Sequence, residues 1–205
     1  MTQVERRACL VIGAGDATGG AIARAFAREG LIACVSRRPR HAEALEALAA
    51  SIRAEGRDAY ALPVDARDES AMTALFDGIE REIAPLEVVV FNIGANVRFD
   101  VTETTAQVYR KVWEMAAFAG FLTGREAARR MIARGRGAIL FTGATASLRG
   151  AAGFSAFAGG KHALRALAQS MARELGPKNI HVAHVIVDGA IDTEFIAGLV
   201  PDIAA

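Results

Sequence analysis

The sequence predicts an α/β fold: a single domain built on a doubly wound parallel sheet, three layers thick. Three observations lead there. Short apolar runs alternate with longer helical stretches from one end of the 205-residue chain to the other. Several runs are apolar on both faces, Val88-Val89-Val90-Phe91 most plainly, as strands covered on both sides must be. The segments rich in glycine, hydroxyls and charge fall just after those runs, where ligands lie in such sheets. A chain of this length suits one domain with a substantial core.

Six strands are expected, at 8–12, 31–35, 59–64, 86–93, 138–142 and 180–187. The helices between them carry their own end signals. One spans 17–29 and stops at Gly30, a residue free to take a left-handed cap. The next, 40–55, follows Pro39 and stops at Gly56. A third starts near Asp68, where Asp68, Glu69 and Ser70 suit an N-terminal turn, and ends before Pro85. A long helix spans 105–134, and a last one, 154–175, ends at Gly176-Pro177. No repeat or low-complexity linker interrupts the pattern.

Composition narrows the function classes. Apolar residues make up 52% and mean hydropathy is +0.24, but the excess is mostly alanine and no long window is uninterrupted, so no membrane span is expected. Residues 1–7 lack the apolar segment of a secretory signal. Cys9 and Cys34 each sit inside an apolar run, which fits a reducing cytoplasmic setting better than a disulfide framework. A formal charge of +1 gives no reason to invoke nucleic acid or an anionic membrane. The basic cluster Arg125, Arg129, Arg130, Arg134 and Arg136 reads as the solvated face and C-terminal turn of the long helix. His181 and His184 are three apart in a strand and so face opposite sides, unable to share a metal. His41 reads as solvent-exposed, and no Cys/His spacing suggests zinc.

The first strand runs into Gly13-Ala14-Gly15-Asp16-Ala17-Thr18-Gly19-Gly20 and then a helix. Glycines here let the backbone turn tightly and approach a pyrophosphate, whose charge suits free N–H groups and a helix N-terminus. The second strand ends at Ser36-Arg37-Arg38. An NAD enzyme usually places a carboxylate at this point; arginine suits the 2′-phosphate of NADP instead. Arg37 is the expected phosphate ligand, with Asp16 as a counter-signal, and the cofactor expected is NADP with NAD as the alternative.

Together these segments resemble the short-chain dehydrogenase/reductase family over nearly the whole chain, which implies a Rossmann-like fold. Gly13, Gly15 and Gly19 lie in the family's nucleotide loop, with Ala17 where a glycine usually stands. Asp65, beside Ala66, matches the acidic residue that contacts the adenine ring. Asn92-Ile93-Gly94-Ala95 is similar to the family's Asn-Asn-Ala-Gly segment, retaining Asn92 and Gly94. Asp188-Gly189, followed by Ile191 and Thr193, resembles the segment that passes the nicotinamide carboxamide, with Asp188 in place of the usual proline.

The resemblance implies a catalytic Asn, Ser, Tyr and Lys, and here only Lys161 survives. Phe157 stands four residues before it, where the tyrosine belongs; Ala144 holds the serine position and Ala116 the asparagine position. A phenyl ring cannot donate a proton as a phenol does. Thr142, Thr145 and Ser147 flank Ala144, and the proton is expected from Thr145, Ser147, water or the substrate, working with Lys161. Lys161 is expected chiefly to hold the ribose hydroxyls, and a buried lysine could also act as an acid.

The family continues past Thr193 with a covering region and a last strand, so residues 194–205 read as the start of a truncated or mobile lid. The alanine-rich surfaces around Ala116, Ala117, Ala119, Ala127 and Ala128 would permit close helix contact between subunits, as in a homodimer or homotetramer. The function expected is NADP-dependent hydride transfer to or from an unidentified carbonyl or alcohol through a non-standard site. The alternative is a catalytically silent NADP-binding protein, acting as a sensor or assembly partner.

Overall fold

The computed structural model describes residues 6–15, 17–189 and 191. Among them six parallel strands form one sheet: β1 (Ala8–Ile12), β2 (Ile32–Ser36), β3 (Ala59–Ala61), β4 (Leu86–Phe91), β5 (Gly137–Ala144) and β6 (Ile180–Val187). Their spatial order is β3-β2-β1-β4-β5-β6. The chain winds outward from β1 to β3, then returns to the other side of β1, so the order reverses between β1 and β4. Ligand crevices open at the carboxyl ends of such a pair.

Helices α1 (Thr18–Arg28) and α2 (Ala42–Ala54) cover one face. On the other lie α3 (Glu69–Glu82), α4 (Ala106–Trp113), α5 (Ala119–Arg134) and α6 (Ser155–Leu175). Alternation along β1 feeds both cores. Cys9 and Val11 pack with Ala23, Leu45 and Ile52, whereas Leu10 and Ile12 pack with Phe76, Phe91 and Phe141. The two cysteines therefore lie on opposite faces of the sheet. Burial raises both thiols, Cys34 to about 12, so neither is a ready nucleophile.

Three boundaries differ from the sequence pattern. β3 is regular only to Ala61, although Leu62 and Val64 still donate to the Val35 and Arg37 carbonyls at 2.9 Å; Pro63 between them faces the open edge of the sheet, where its missing N–H costs no bond. β5 runs on to Ala144, paired with β6 to its end. The long helix is interrupted: a π turn, Glu114–Phe118, separates α4 from α5.

The basic cluster is not a solvated patch. Arg125 pairs with Glu69, Arg130 with Asp77 and Glu126, Arg134 with Glu80, and Arg136 with Glu87. These pairs stitch α5 to α3 and to the β4 edge. The alanine surfaces are likewise internal, since Ala116, Ala117, Ala119 and Ala127 are all buried within the protomer. What the α4–α5 face exposes instead is Tyr109, Trp113 and Phe121. No helix among the described residues is long and apolar enough to cross a membrane.

Candidate active site

β1 ends in a turn that only glycine can make. Gly13 takes φ +88°, and a Cβ there would stand 2.8 Å from the Asn92 carbonyl oxygen. Asn92 closes the turn from β4: its N–H donates to the Ile12 carbonyl at 2.7 Å, and its Nδ2 to the Gly13 carbonyl at 3.1 Å. Gly19, at the start of α1, is packed as closely, for an added Cβ would meet Gly13 O at 2.4 Å and Ala14 Cα at 2.7 Å. Gly15 is different, with 3.8 Å to the Arg37 guanidinium carbon, so it opens a floor on which Arg37 rests.

Above this turn lies a cleft of about 390 Å³ whose walls include Gly13, Gly15, Arg37, Asp65, Asn92 and Gly94. Arg38, Arg67 and His41 also line it, so His41 is a cleft residue rather than a solvent-facing one. Burial, and then the nearby Arg40 and Arg67, pulls the Arg38 pKa below its usual value: the guanidiniums are crowded and short of anions. The carboxylate of Asp65 is already engaged. Arg67 donates to it from Nη2 at 2.6 Å, from Nε at 3.0 Å and from its backbone N–H at 3.1 Å. That side-chain bond from Arg67 holds Asp65 below the usual carboxylate range. Ser36 also lines this region, its Oγ buried and without a partner among the described residues. A glycine-walled turn, crowded guanidiniums and an orphaned buried hydroxyl suit a nucleotide bearing an extra phosphate.

Deeper along the strand ends is a compartment of about 250 Å³ lined by Thr142, Ala144, Phe157, Lys161 and Val187 among others. Lys161 projects from α6, 2% exposed, and its Nζ donates to the carbonyls of Ile93 at 3.0 Å and Thr142 at 2.9 Å. Burial brings its pKa down to about 8. The Phe157 ring lies 5.9 Å from that ammonium, in the place where a phenol would have reached it. Neither tyrosine compensates: Tyr60 is on β3, and the Tyr109 hydroxyl packs against the backbone at Gly159. Ala116 lies in the π turn, buried against Gly160 and offering no polar group.

A second compartment, also about 250 Å³, shares Asn96, Ala144, Phe157, Val187 and Gly189 with the first, so the two form one cleft. Here the replacement donors are corrected. The Ser147 hydroxyl is fully buried and turned back to accept the Ala144 N–H at 3.1 Å; it does not line the cleft. Thr145 does line it, but its hydroxyl proton is donated to Asp188 at 2.5 Å. Neither hydroxyl points a proton at a substrate.

The sequence pattern missed other residues. Asn96 lines all three compartments and its Oδ1 is buried without a partner among the described residues. It follows Ala95, which takes φ +58°; the left-handed position of the segment is therefore Ala95 and not Gly94, where a Cβ would meet nothing. The signal was in the spacing, since Ala95 stands where the family segment has its glycine. His184, on β6, has both ring nitrogens buried and without a partner among the described residues, and burial, then Lys161 and Arg165, lowers its pKa. Its ring lies against Gly143, where a Cβ would fall 2.1 Å from it, so the sheet holds a neutral imidazole beneath the site. Asp16, Thr193 and 194–205 lie outside the described residues.

Residues 7–203 match the family described as short chain dehydrogenase. The chain belongs to that family. Among solved structures, a short-chain dehydrogenase from Rhodopseudomonas palustris is 54% identical with a TM-score of 0.84, covering 94% of this chain and 89% of that one. A gluconate 5-dehydrogenase from Burkholderia cenocepacia J2315, in complex with NADP and tartrate, is 25% identical with a TM-score of 0.88, covering 98% and 78%. Cis-4-hydroxycyclohexanecarboxylate dehydrogenase of Sinomonas cyclohexanicum is 30% identical over 200 residues, 97% of this chain and 79% of that protein. Short-chain dehydrogenases are oxidoreductases, and the cleft described here lies where this sheet's strand order reverses.

Proposed function

We propose that the protein is an NADP-dependent oxidoreductase that moves hydride between the nicotinamide and a carbonyl or alcohol, with Lys161 as the proton source in a site without a phenol. One observation carries this reading. A single line of cavities runs from crowded guanidiniums, over a glycine turn, to a buried ammonium. Arg37, helped by Arg38 and Arg67, would take the 2′-phosphate, and the backbone at Gly13, Gly15 and Gly19 would let the pyrophosphate approach. Asp65, fixed by Arg67, would edge the adenine. Asn92 and Gly94 would wall the nicotinamide-side ribose, and Thr193 would meet the carboxamide. The NADP held by the Burkholderia neighbour supports the same choice of cofactor.

Bound NADPH supplies the hydride. The chain's own part is to hold the carbonyl and deliver one proton to its oxygen. An ammonium titrating at about 8 is a far better acid than an ordinary lysine, and Lys161 regains its proton from solvent after giving it up. Thr145, with its proton on Asp188, keeps lone pairs free to accept from an alcohol. Ser147 shapes the loop by holding the Ala144 N–H.

Phe157 and Ala144 favour a second reading, a silent NADP-binding protein, because they remove the usual acid and the usual oxygen donor. Calorimetric titration with NADPH and NADH, followed by a carbonyl panel, separates the two. The expected result is tight NADPH binding with slow turnover; binding with no turnover on any carbonyl leaves the silent reading. Arg37→Asp is expected to weaken NADPH by about tenfold to a hundredfold more than NADH, the loss of a charge-assisted phosphate contact. Equal weakening of both would remove the basis for NADP. A homodimer or homotetramer, pairing through the face that bears Tyr109, Trp113 and Phe121, is checked by sedimentation of the wild type against Trp113→Glu.

A further inference from the structure

We infer that the outer half of the reacting cleft is a seat for a carboxylate-bearing carbonyl or alcohol, with Arg149 on the carboxylate and the Asn96 amide on the oxygen that reacts. Only the naming of the reacting oxygen rests on the hydride-transfer reading; the anion seat stands apart from it.

The compartment sorts its walls by chemistry. Phe154 and Phe157 form a tilted pair with centroids 6.4 Å apart, and Ala144, Ala146 and Ala151 complete an apolar sleeve of about 250 Å³, the size of a small ring or short chain. Arg149 is the charged side chain lining this sleeve, and it makes no ion pair among the described residues. Arg149 is exposed to solvent on one side and, unlike Arg67, which holds Asp65, has no carboxylate among the described residues, so its fork is free to meet an anion entering the sleeve. Asp188, an acid in the same loop cluster, does not line the sleeve and already accepts the Thr145 hydroxyl. Arg98, with its guanidinium carbon 5.9 Å from the Phe154 centroid, adds a second positive charge behind the wall. A single planar fork matches the two oxygens of a carboxylate; a phosphate dianion in so apolar a sleeve would lack further donors.

Asn96 stands at the other end of the sleeve, on the boundary with the Lys161 compartment. Its buried Oδ1 has no partner among the described residues, and a native buried polar atom of that kind calls for a ligand or water. The amide serves both directions of the reaction, since Oδ1 accepts from a carbinol O–H and Nδ2 donates to a carbonyl oxygen. It supplies the polar contact that Ala144 cannot. In reduction the carbonyl carbon gains the hydride and the oxygen gains the Lys161 proton; Arg149 and Asn96 form no covalent bond and change no oxidation state.

The test is calorimetric binding to the NADP⁺-loaded protein, with benzoate against benzamide for the anion seat and 4-formylbenzoate against benzoate for the oxygen contact. Benzoate is expected to bind about tenfold more tightly than benzamide. Arg149→Gln should erase that preference while leaving NADP⁺ affinity within twofold. Asn96→Ala should remove the extra affinity of 4-formylbenzoate over benzoate without altering benzoate itself. Equal binding of benzoate and benzamide, no benzoate binding at millimolar concentration, or a preference that survives Arg149→Gln would each overturn the anion seat. An Asn96→Ala variant that loses NADP⁺ as well as the aldehyde would make Asn96 a cofactor residue and overturn its assignment to substrate. Failure of NADP⁺ to bind would sink the hydride-transfer reading instead, and the benzoate comparison would then be run on the free protein.

Discussion

The two ends of the cleft are made of different materials. At the nucleotide end the decisive surface is main chain: Gly13 at φ +88°, Gly19 pressed on the Gly13 carbonyl, and Asn92 tying β4 to the turn. At the reacting end the decisive groups are single side chains, and the family resemblance puts Phe157, Ala144 and Ala116 where three of its four would stand. Phe157 keeps the ring, 8% exposed and packed on Phe154, and gives up only the hydroxyl. A site built from backbone cannot drift without unmaking the fold, whereas one hung on side chains can lose its acid and leave the sheet untouched. The comparison can be broken from either end.

The largest effect is expected at the backbone end. Gly19→Ala places a methyl 2.4 Å and 2.7 Å from main-chain atoms that cannot move aside, so NADPH affinity should fall by about a thousandfold or the fold itself should fail. Gly15→Ala meets only the movable Arg37 side chain at 3.8 Å, so the fold should hold while NADPH affinity falls by about tenfold, well short of the loss at Gly19. Calorimetry checks both, with circular dichroism to separate lost binding from lost fold. A Gly19→Ala protein that binds normally would end the claim that main-chain geometry fixes this end.

Next comes repair of the other end. Phe157→Tyr combined with Ala144→Ser restores a phenol near the Lys161 ammonium and a hydroxyl at the oxygen site. General acid catalysis contributes roughly 10²–10⁴ in rate, so kcat on carbonyls should rise by about a hundredfold or more. A wild type already as fast as the double variant would mean that Lys161 and the surrounding amide suffice, and that the replaced side chains are a substitution of means rather than a loss.

The same contrast explains what the sequence made legible. Six strands, their order-reversing crevice and the glycine turn were readable because periodicity and glycine placement record backbone demands directly. β3 was overrun because apolar Leu62 and Val64 look like strand, and both do bond to β2 beyond the regular strand. The π turn at Glu114–Phe118 left no trace in a helical pattern. Hydroxyl directions were beyond reach as well. Nothing in Thr142-Gly143-Ala144-Thr145-Ala146-Ser147 says that Ser147 turns back to the Ala144 N–H, or that Thr145 finds Asp188, 43 residues away. Arg67, His41 and Asn96 reach the cleft from neighbouring loops for the same reason: their placement follows from tertiary packing, not from local spacing.

Lys161 carries the smallest expected effect and bears on both ends at once. Burial lowers its pKa from 10.5 to about 8, so between those values the unfolded chain binds a proton that the folded chain has released. Stability relative to Lys161→Met must therefore rise as pH climbs from 8 to 10.5, and the penalty for burying the charge is fully present below 8. By the same linkage the change across the window should be about 3 kcal/mol. Cys9 and Cys34, whose thiols stay protonated in the fold, contribute the opposite slope, but they are common to both proteins and cancel in the difference. Urea unfolding of wild type and variant at intervals across the window measures it. A difference that stays flat with pH would mean that this ammonium is no weaker a base than any surface lysine, and the proton source assigned to the reacting end would have to be water.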